Sequence, residues 1–283
     1  MKRFNILKDK LKNERLMRDG FVRIELLDHF EIKQLKDYYL TQHFEETING
    51  LFVSANRFEA HKAKEISSFI SNILKNRLSN LVDEVEILGG TFIVKSANYL
   101  ERLEAHQDWN IVNENNGRSY TLWIPLEKTN DFNGALYMLQ GSHDRFRGYR
   151  HITIPSIFGK VYDKVWKYMV PVYLNAGEGV LFDHAVGHAS MPNLTPKDRI
   201  AVTCSVISKG AKFRFYCLEE NVISEYKGQA DYYQKEEAKF GPSNLKKIEV
   251  KNVKPYQLTN FQLLLYYGFF NRIWNLNMLR KNK

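Results

Sequence analysis

The chain has 283 residues, 44% apolar and 26% charged, an ordinary globular composition that excludes a disordered chain, a collagen and a coiled coil. Its net charge of +9 is uneven: residues 1–20 hold seven basic and three acidic side chains, and residues 242–283 hold eight and one, which leaves the middle at −2. A near-neutral body with basic ends lacks the basic working face expected of a nucleic-acid binder.

Residues 3–18 read as a charged helix, after which Asp19-Gly20 turns the chain into a short strand, Phe21 to Ile24. Asp28 reads as the N-cap of a helix running to Tyr39. A second helical pattern spans about Glu59 to Leu81, with Ile66, Phe69, Ile70, Ile73, Leu74 and Leu78 at spacings of three and four. From about Val85 to Ser208 the pattern changes to short runs of Val, Ile, Phe, Tyr and Thr cut by Gly, Asn, Pro and Asp. These predict strands at 85–96, 102–106, 118–125, 134–139, 168–174, 178–183 and 199–208. Asn133-Gly134 reads as turn chemistry only. A further strand pair, about 212–218 and 221–226, precedes a polar helix near 229–239. Helices followed by one block of short strands indicate an α+β domain, its helices covering a mainly β core of sandwich or jelly-roll type.

The segment Phe261 to Leu279 is dense in Phe, Leu, Tyr, Ile and Trp. Its few polar residues (Gly268, Asn271, Arg272, Asn275) form a narrow helical stripe, followed by Arg280, Lys281 and Lys283. Two readings stand: a helix packed on the body or on a second subunit, and an in-plane helix giving peripheral contact with an anionic membrane. No apolar run reaches the length of a spanning helix and the first twenty residues lack a signal-peptide core, so the expected location is cytoplasmic, with membrane association as the alternative. Cys204 and Cys217 lie in predicted strands without metal-binding spacing, so no disulfide framework is expected. GxGxxG, Walker A and GxSxG motifs are missing from the sequence.

His106-Gln107-Asp108 ends a predicted strand, and strand alternation puts residues i and i+2 on one face, so imidazole and carboxylate can converge on one ion. About eighty residues on, Val180-Leu181-Phe182 leads to His184 and His188, then Ser190, Asn193 and Arg199. A third imidazole from that distant strand would complete a face of two His and one carboxylate, leaving the other positions of an octahedral Fe(II) open for a bidentate co-substrate and O2. Arg199 opens an apolar strand, and a buried guanidinium there needs an anionic partner such as the far carboxylate of a dicarboxylate co-substrate.

These residues carry a resemblance. His106-Gln107-Asp108-Trp109, Leu122-Trp123-Ile124-Pro125-Leu126-Glu127, Asn133-Gly134-Ala135-Leu136 and Gln140-Gly141-Ser142-His143 are followed by His188-Ala189-Ser190-Met191-Pro192-Asn193, with Arg199 eleven residues after His188. In this order and spacing they resemble the phytanoyl-CoA dioxygenase family of Fe(II)- and 2-oxoglutarate-dependent oxygenases over roughly residues 85–208, and Asp19-Gly20-Phe21-Val22 resembles the family's opening. The resemblance implies a double-stranded β-helix, jelly-roll or cupin-like, with N-terminal supporting helices. It implies iron held by His106, Asp108 and His188, 2-oxoglutarate bound by Arg199 and Ser190 with Trp123 lining its pocket, and O2 as oxidant with succinate and CO2 released. Asp108 further implies hydroxylation, because related halogenases carry Gly or Ala at that position.

On this reading His143 is structural, His184 is the lesser candidate for the distal ligand, Trp109 and Tyr120 are candidates to border the substrate, and Lys95, which could meet an anionic substrate group, is read rather as a solvated lysine. The expected organisation is an oxygenase domain at 1–241, with its β-helix core at about 85–226, and a basic, aromatic-rich helical extension at 242–283. Loop 141–165 is a candidate lid. The expected activity is hydroxylation of an unactivated carbon in a small-molecule or lipid-like substrate, an anionic or acyl-thioester compound among the options, with no nucleic acid as partner. The alternatives are a non-catalytic β-helix binding or membrane-associated module and an oxygenase of the same site chemistry acting on a macromolecule.

Overall fold

Two aspartates start the first two helices by accepting from backbone N–H groups that a helix leaves unpaired at its N-terminus. Asp9 accepts from Lys12 N and opens α1 (Lys10–Asp19), while Asp28 accepts from Phe30 N and Glu31 N in a capping box that opens α2 (His29–Thr41). α1 therefore begins later than the charge pattern suggests. α3 (Ala60–Leu78) buries Ile66, Ile70, Leu74 and Leu78, the face its periodicity predicts. The computed structural model describes residues 5–42, 50–56, 58–230, 232 and 241–269. The polar helix expected near 229–239 and the end of the C-terminal segment, with its basic tail, lie outside the described residues.

The strands are β1 (Phe21–Glu25), β2 (Leu51–Val53), β3 (Val85–Lys95), β4 (Leu103–His106), β5 (Ser119–Pro125), β6 (Leu136–Leu139) and β7 (Val170–Val172). They continue as β8 (Glu178–Asp183), β9 (Gly187–Ser190), β10 (Arg199–Ser208), β11 (Arg214–Glu219), β12 (Val222–Lys227) and β13 (Lys247–Lys251). A six-stranded sheet in the order β1-β8-β5-β10-β3-β2 faces a four-stranded sheet in the order β4-β9-β6-β7, and every pairing in both is antiparallel. This is the expected jelly roll of the double-stranded β-helix type, mainly β with helical support. The expected strands all form, with ends within two residues of those expected. Three short ones, β2, β9 and β13, were not expected, because runs of three to five residues carry too little alternation to stand out.

Alternation sets what each sheet buries. From β5, Tyr120, Leu122 and Ile124 enter a core shared with Leu35 and Tyr39 of α2 and the buried face of α3, and from β3, Phe92 and Val94 join them. The opposite face sends Trp123, Ile93 and Ala201 inward, where they meet Leu136, Met138 and Val172 of the smaller sheet. Both faces of β3, β5 and β10 are thus covered, one by helices and the other by the barrel interior. Lys95 and Arg199, which these strands carry at their ends, are removed from bulk water.

The chain beyond residue 241 is continuous with the body. β13 pairs with β12, extending a three-stranded sheet in the order β11-β12-β13. Leu258, Leu263 and Tyr267 then enter a core on the outer side of the smaller sheet, with Phe146, Phe158 and Val161. The described part of the C-terminal segment therefore packs on the body, as a short α-turn, Asn260–Leu263, and a π-helical turn, Leu264–Phe269. No helix among the described residues is long and apolar enough to cross a membrane.

Candidate metal centre and co-substrate pocket

Strand register brings the two imidazoles together. β4 pairs with β9 so that His106 stands opposite His188, with ring centroids 4.2 Å apart. Each ring is oriented by its Nδ1, which donates to a backbone carbonyl: His106 to Glu104 O at 2.8 Å and His188 to Val186 O at 3.1 Å. This turns both Nε2 atoms toward the same space, since a hydrogen bond at one ring nitrogen fixes where the other points. Asp108, just past the end of β4, completes the group: its Oδ1 lies 3.7 Å from His188 Nε2 and its Oδ2 accepts from Thr121 Oγ1 at 2.6 Å. One ligand atom from each of His106, Asp108 and His188 falls within 4.8 Å of the others, and this is the only such group among the described residues.

The electrostatics suit a divalent cation. Burial, with His188 beside it, pushes the His106 imidazole down to about 4, so the ring is neutral at physiological pH, as a ligand must be. Burial opposes the charge on Asp108, but His188, His184, His106 and the Thr121 hydroxyl together hold its carboxyl below the usual range. Two imidazoles and one carboxylate on one face form a donor set suited to Fe(II), so the residues present fit the metal.

The candidate co-substrate side lies on β10 and β3. Their register sets Arg199 directly opposite Lys95. Both side chains are almost fully buried, at 2% and 0% exposure, and neither pairs with a carboxylate among the described residues. Arg199 lies over the Trp123 ring at 5.1 Å and has one long contact, Nη1 to Ile93 O at 3.4 Å, while its Nε has no partner. Lys95 Nζ donates to Ser190 Oγ at 2.8 Å and to Met191 O at 2.5 Å. Burial, and secondarily the Arg199 charge, pushes Lys95 down to about 7, and burial pushes Arg199 down to about 10 against the opposing pull of Glu127. A buried guanidinium with an orphaned N–H, beside a second buried cation, fits an anion two residues along the strand from His188.

Lys95 therefore corrects the sequence reading of a solvated lysine. The available signal was the unbroken apolar run Phe92-Ile93-Val94 before it, the mark of a strand buried on both faces. Asn193 holds the arrangement: its Nδ2 donates to Lys95 O, Ser96 O and Lys197 O, tying the loop after His188 to the end of β3. Asn133-Gly134 does more than turn the chain. Gly134 has φ 80°, and a Cβ there would stand 3.1 Å from Lys95 Cδ and 3.5 Å from Arg199 Nε.

Trp109 borders two cavities beside the triad, of about 650 and 470 Å³, the first lined also by His106 and the second by Asp108 and Thr121. Tyr120 does not reach either of them. Alternation along β5 sends Thr121 and Trp123 to the site and Tyr120 into the helix-covered core, which corrects its expected place beside the substrate. His184 is buried and donates through Nδ1 to Trp109 O at 3.1 Å, but it stands outside the converging three. His143 is buried at the end of α1, where its Nε2 donates to Met17 O at 3.2 Å, a packing role as expected.

A buried ion network secures the loop that carries Asp108. Arg150 Nε donates to Asp108 O at 2.8 Å, and its Nη2 pairs with Glu114. Glu114 also meets Arg147 at 3.0 Å, and Arg147 reaches Asp183 at 2.9 Å, at the turn between β8 and β9. The network thus joins the Asp108 loop to the end of β8, just before the strand that presents His188, and it also pins the first part of loop 141–165.

The model of the phytanoyl-CoA dioxygenase family matches residues 17–201, and this chain belongs to that family. It is accordingly an Fe(II)- and 2-oxoglutarate-dependent oxygenase that uses O2. The fold is shared with the non-haem monooxygenase ThoJ, at 19% identity and TM-score 0.53 over 95% of this chain and 99% of that one. It is shared also with HygX of Streptomyces hygroscopicus, solved with nickel and 2-oxoglutarate bound, at 13% identity and TM-score 0.52 over 71% and 87%. EvdO2 of Micromonospora carbonacea var. aurantiaca, complexed with 2-oxoglutarate, is 20% identical with TM-score 0.50 over 71% and 91%. No curated protein sequence matches the chain significantly.

The ion network generates a pH prediction. Burial opposes the Glu114 charge, but Arg150 and Arg147 outweigh it and hold the carboxyl well below its usual 4.5. A depressed carboxyl contributes stability above its unfolded value and loses it as the pH falls. Glu114→Gln is therefore expected to lower the urea midpoint at pH 7, and to lose less further stability than wild type between pH 4.5 and 3. Parallel acid limbs in the two proteins would contradict the assignment.

Proposed function

We propose that His106, Asp108 and His188 hold the Fe(II), that Arg199, Lys95 and Ser190 take the distal carboxylate of 2-oxoglutarate against Trp123, and that the enzyme hydroxylates an unactivated carbon of a small molecule seated beside Trp109. The observation that carries this reading is the pair of buried cations with no carboxylate partner among the described residues, tied through Ser190 to the strand of His188. Bound iron, with 2-oxoglutarate and O2, supplies the oxidising chemistry and releases succinate and CO2.

The chain's own part is placement. The Glu104 and Val186 carbonyls hold the two rings by their Nδ1–H groups, and Thr121 holds one Asp108 oxygen so that the other faces His188. Arg199 and Lys95 offer charge-assisted donors to one carboxylate in a water-poor pocket, where such bonds are strong. Ile93, Trp123 and Ala201 line that side of the barrel and limit the entry of bulk water. Asp108 occupies the third ligand position, which favours hydroxylation over halide transfer.

Anaerobic titration with Fe(II) and 2-oxoglutarate is expected to develop the weak visible charge-transfer band of the chelate. His188→Ala should abolish it, and Arg199→Ala should raise the 2-oxoglutarate concentration needed by at least about tenfold. No band in folded wild-type protein would overturn the reading. The Lys95 ammonium sets a pH dependence with a definite sign. Its pKa in the free site is about 7 and a bound carboxylate raises it, so affinity for 2-oxoglutarate should be greatest below pH 7 and weaken as the pH rises toward 9. Calorimetry on Lys95→Met should show most of that slope removed.

A further inference from the structure

The larger cavity, about 650 Å³, has His106 and Trp109 at its base and the loop from Arg147 to Ile157 along one side. Its other side is Val253, Lys254, Pro255 and Tyr256, a strap that lies beyond the residues matched by the family model. Both ends of the strap are fixed. Upstream, β13 is paired to β12, and Val253 N donates to Lys251 O. Downstream, Leu258 is fully buried and its N–H donates to Ile157 O at 2.8 Å, while Gln257 Nε2 donates to Ser156 O at 3.2 Å. Gly159 leaves room for this: a Cβ there would stand 2.5 Å from Gln257 Nε2.

Between these anchors the strap presents side chains that the protein itself does not cover. Val253 and Tyr256 are 49% and 51% exposed. The lining is largely apolar and aromatic, and it includes no Asp or Glu. Of its three cations, Arg147 and Arg150 are taken up by Glu114 and Asp183, whereas Lys254 is exposed and has no acidic partner among the described residues. An apolar cavity with one convergent free charge at its rim selects for a ligand with an apolar body and a group of the opposite sign.

Resting on the oxygenase reading above, we propose that residues 253–256 form the substrate-selecting wall of this cavity, with Lys254 taking an anionic group of the substrate and Tyr256 packing on its apolar body. Neither residue touches the metal ligands or the Arg199–Lys95 pocket, so both act on which molecule is bound, not on the chemistry. The anionic group is a carboxylate or a phosphate ester, which share the charge that Lys254 recognises.

The test is calorimetric titration of the full-length protein with octanoate, octyl phosphate and octan-1-ol. The two anions are expected to bind at least about tenfold more tightly than the alcohol, and their relative strength identifies the preferred anion. Lys254→Glu should weaken both anions by at least about tenfold and leave the alcohol unchanged, while Tyr256→Ala should weaken all three. Equal binding of octanoate and octan-1-ol, or undiminished octanoate binding by Lys254→Glu, would overturn the proposal; the second result would assign octanoate to another site, the Arg199 pocket included. 2-Oxoglutarate is titrated into wild type alongside. If it fails to bind, the co-substrate reading fails, whereas the octanoate comparison alone decides the role of the strap.

Discussion

Two cations buried side by side on adjacent strands, Arg199 and Lys95, set the constraint on which the rest of the site depends. Each is almost wholly removed from water, burial opposes the charge on both, and the Arg199 charge further opposes that on Lys95. Such a pair would be expected to be selected against unless a bound anion repays it. The β10–β3 register that creates the pair also fixes its distance from the metal side, because Ser190, on β9 with His188, accepts from Lys95. An anion that satisfies both cations is thereby held beside the two histidines and Asp108. The jelly roll supplies what this needs: a strand pair whose inner face is closed by a second sheet and whose outer face is closed by helices.

The His106–Asp108–His188 triad has the opposite design, with short-range contacts at every member. Each histidine is oriented by a carbonyl two residues away, Asp108 by Thr121, and the Asp108 backbone by Arg150. The ion network from Arg150 through Glu114 and Arg147 to Asp183 links the two segments that must converge for a metal to bind. Rigidity here and an unfilled charge requirement next door divide the work: one part presents a fixed face, and the other selects what is bound against it. The C-terminal strap adds a third part, on the far side of the cavity, where exposed Tyr256 and Lys254 face the space in which a substrate would lie.

Much of this could be read from residues close together in sequence. His106 and Asp108 share a strand face by a spacing of two, and Ser190, Asn193 and Arg199 follow His188 in a motif, so the triad and the residues of the proposed anion site were both visible. The α2 cap at Asp28 and the α3 face were equally local. What was not legible depended on strand phase and on pairing between distant segments. Tyr120 and Thr121 are neighbours, and only the position of β5 between the two covering layers decides that Thr121 meets Asp108 while Tyr120 enters the core. Lys95 reads as a surface charge until β10 is laid beside it. The strap carries no motif, and its place at the cavity follows from β13 pairing with β12 and from Leu258 anchoring to the 157 loop, contacts about a hundred residues apart in one case.

The central claim is that the buried cations exist for a distal carboxylate. It is tested most directly by comparing 2-oxoglutarate with 2-oxopentanoate, which keeps the chelating 2-oxo acid and replaces the far carboxylate with a methyl group. In anaerobic calorimetry on the Fe(II)-loaded protein, this account predicts that 2-oxoglutarate binds on the order of a hundredfold more tightly, the worth of about two charge-assisted hydrogen bonds. Equal affinities would contradict it, and would mean that Arg199 and Lys95 serve some purpose other than holding the co-substrate.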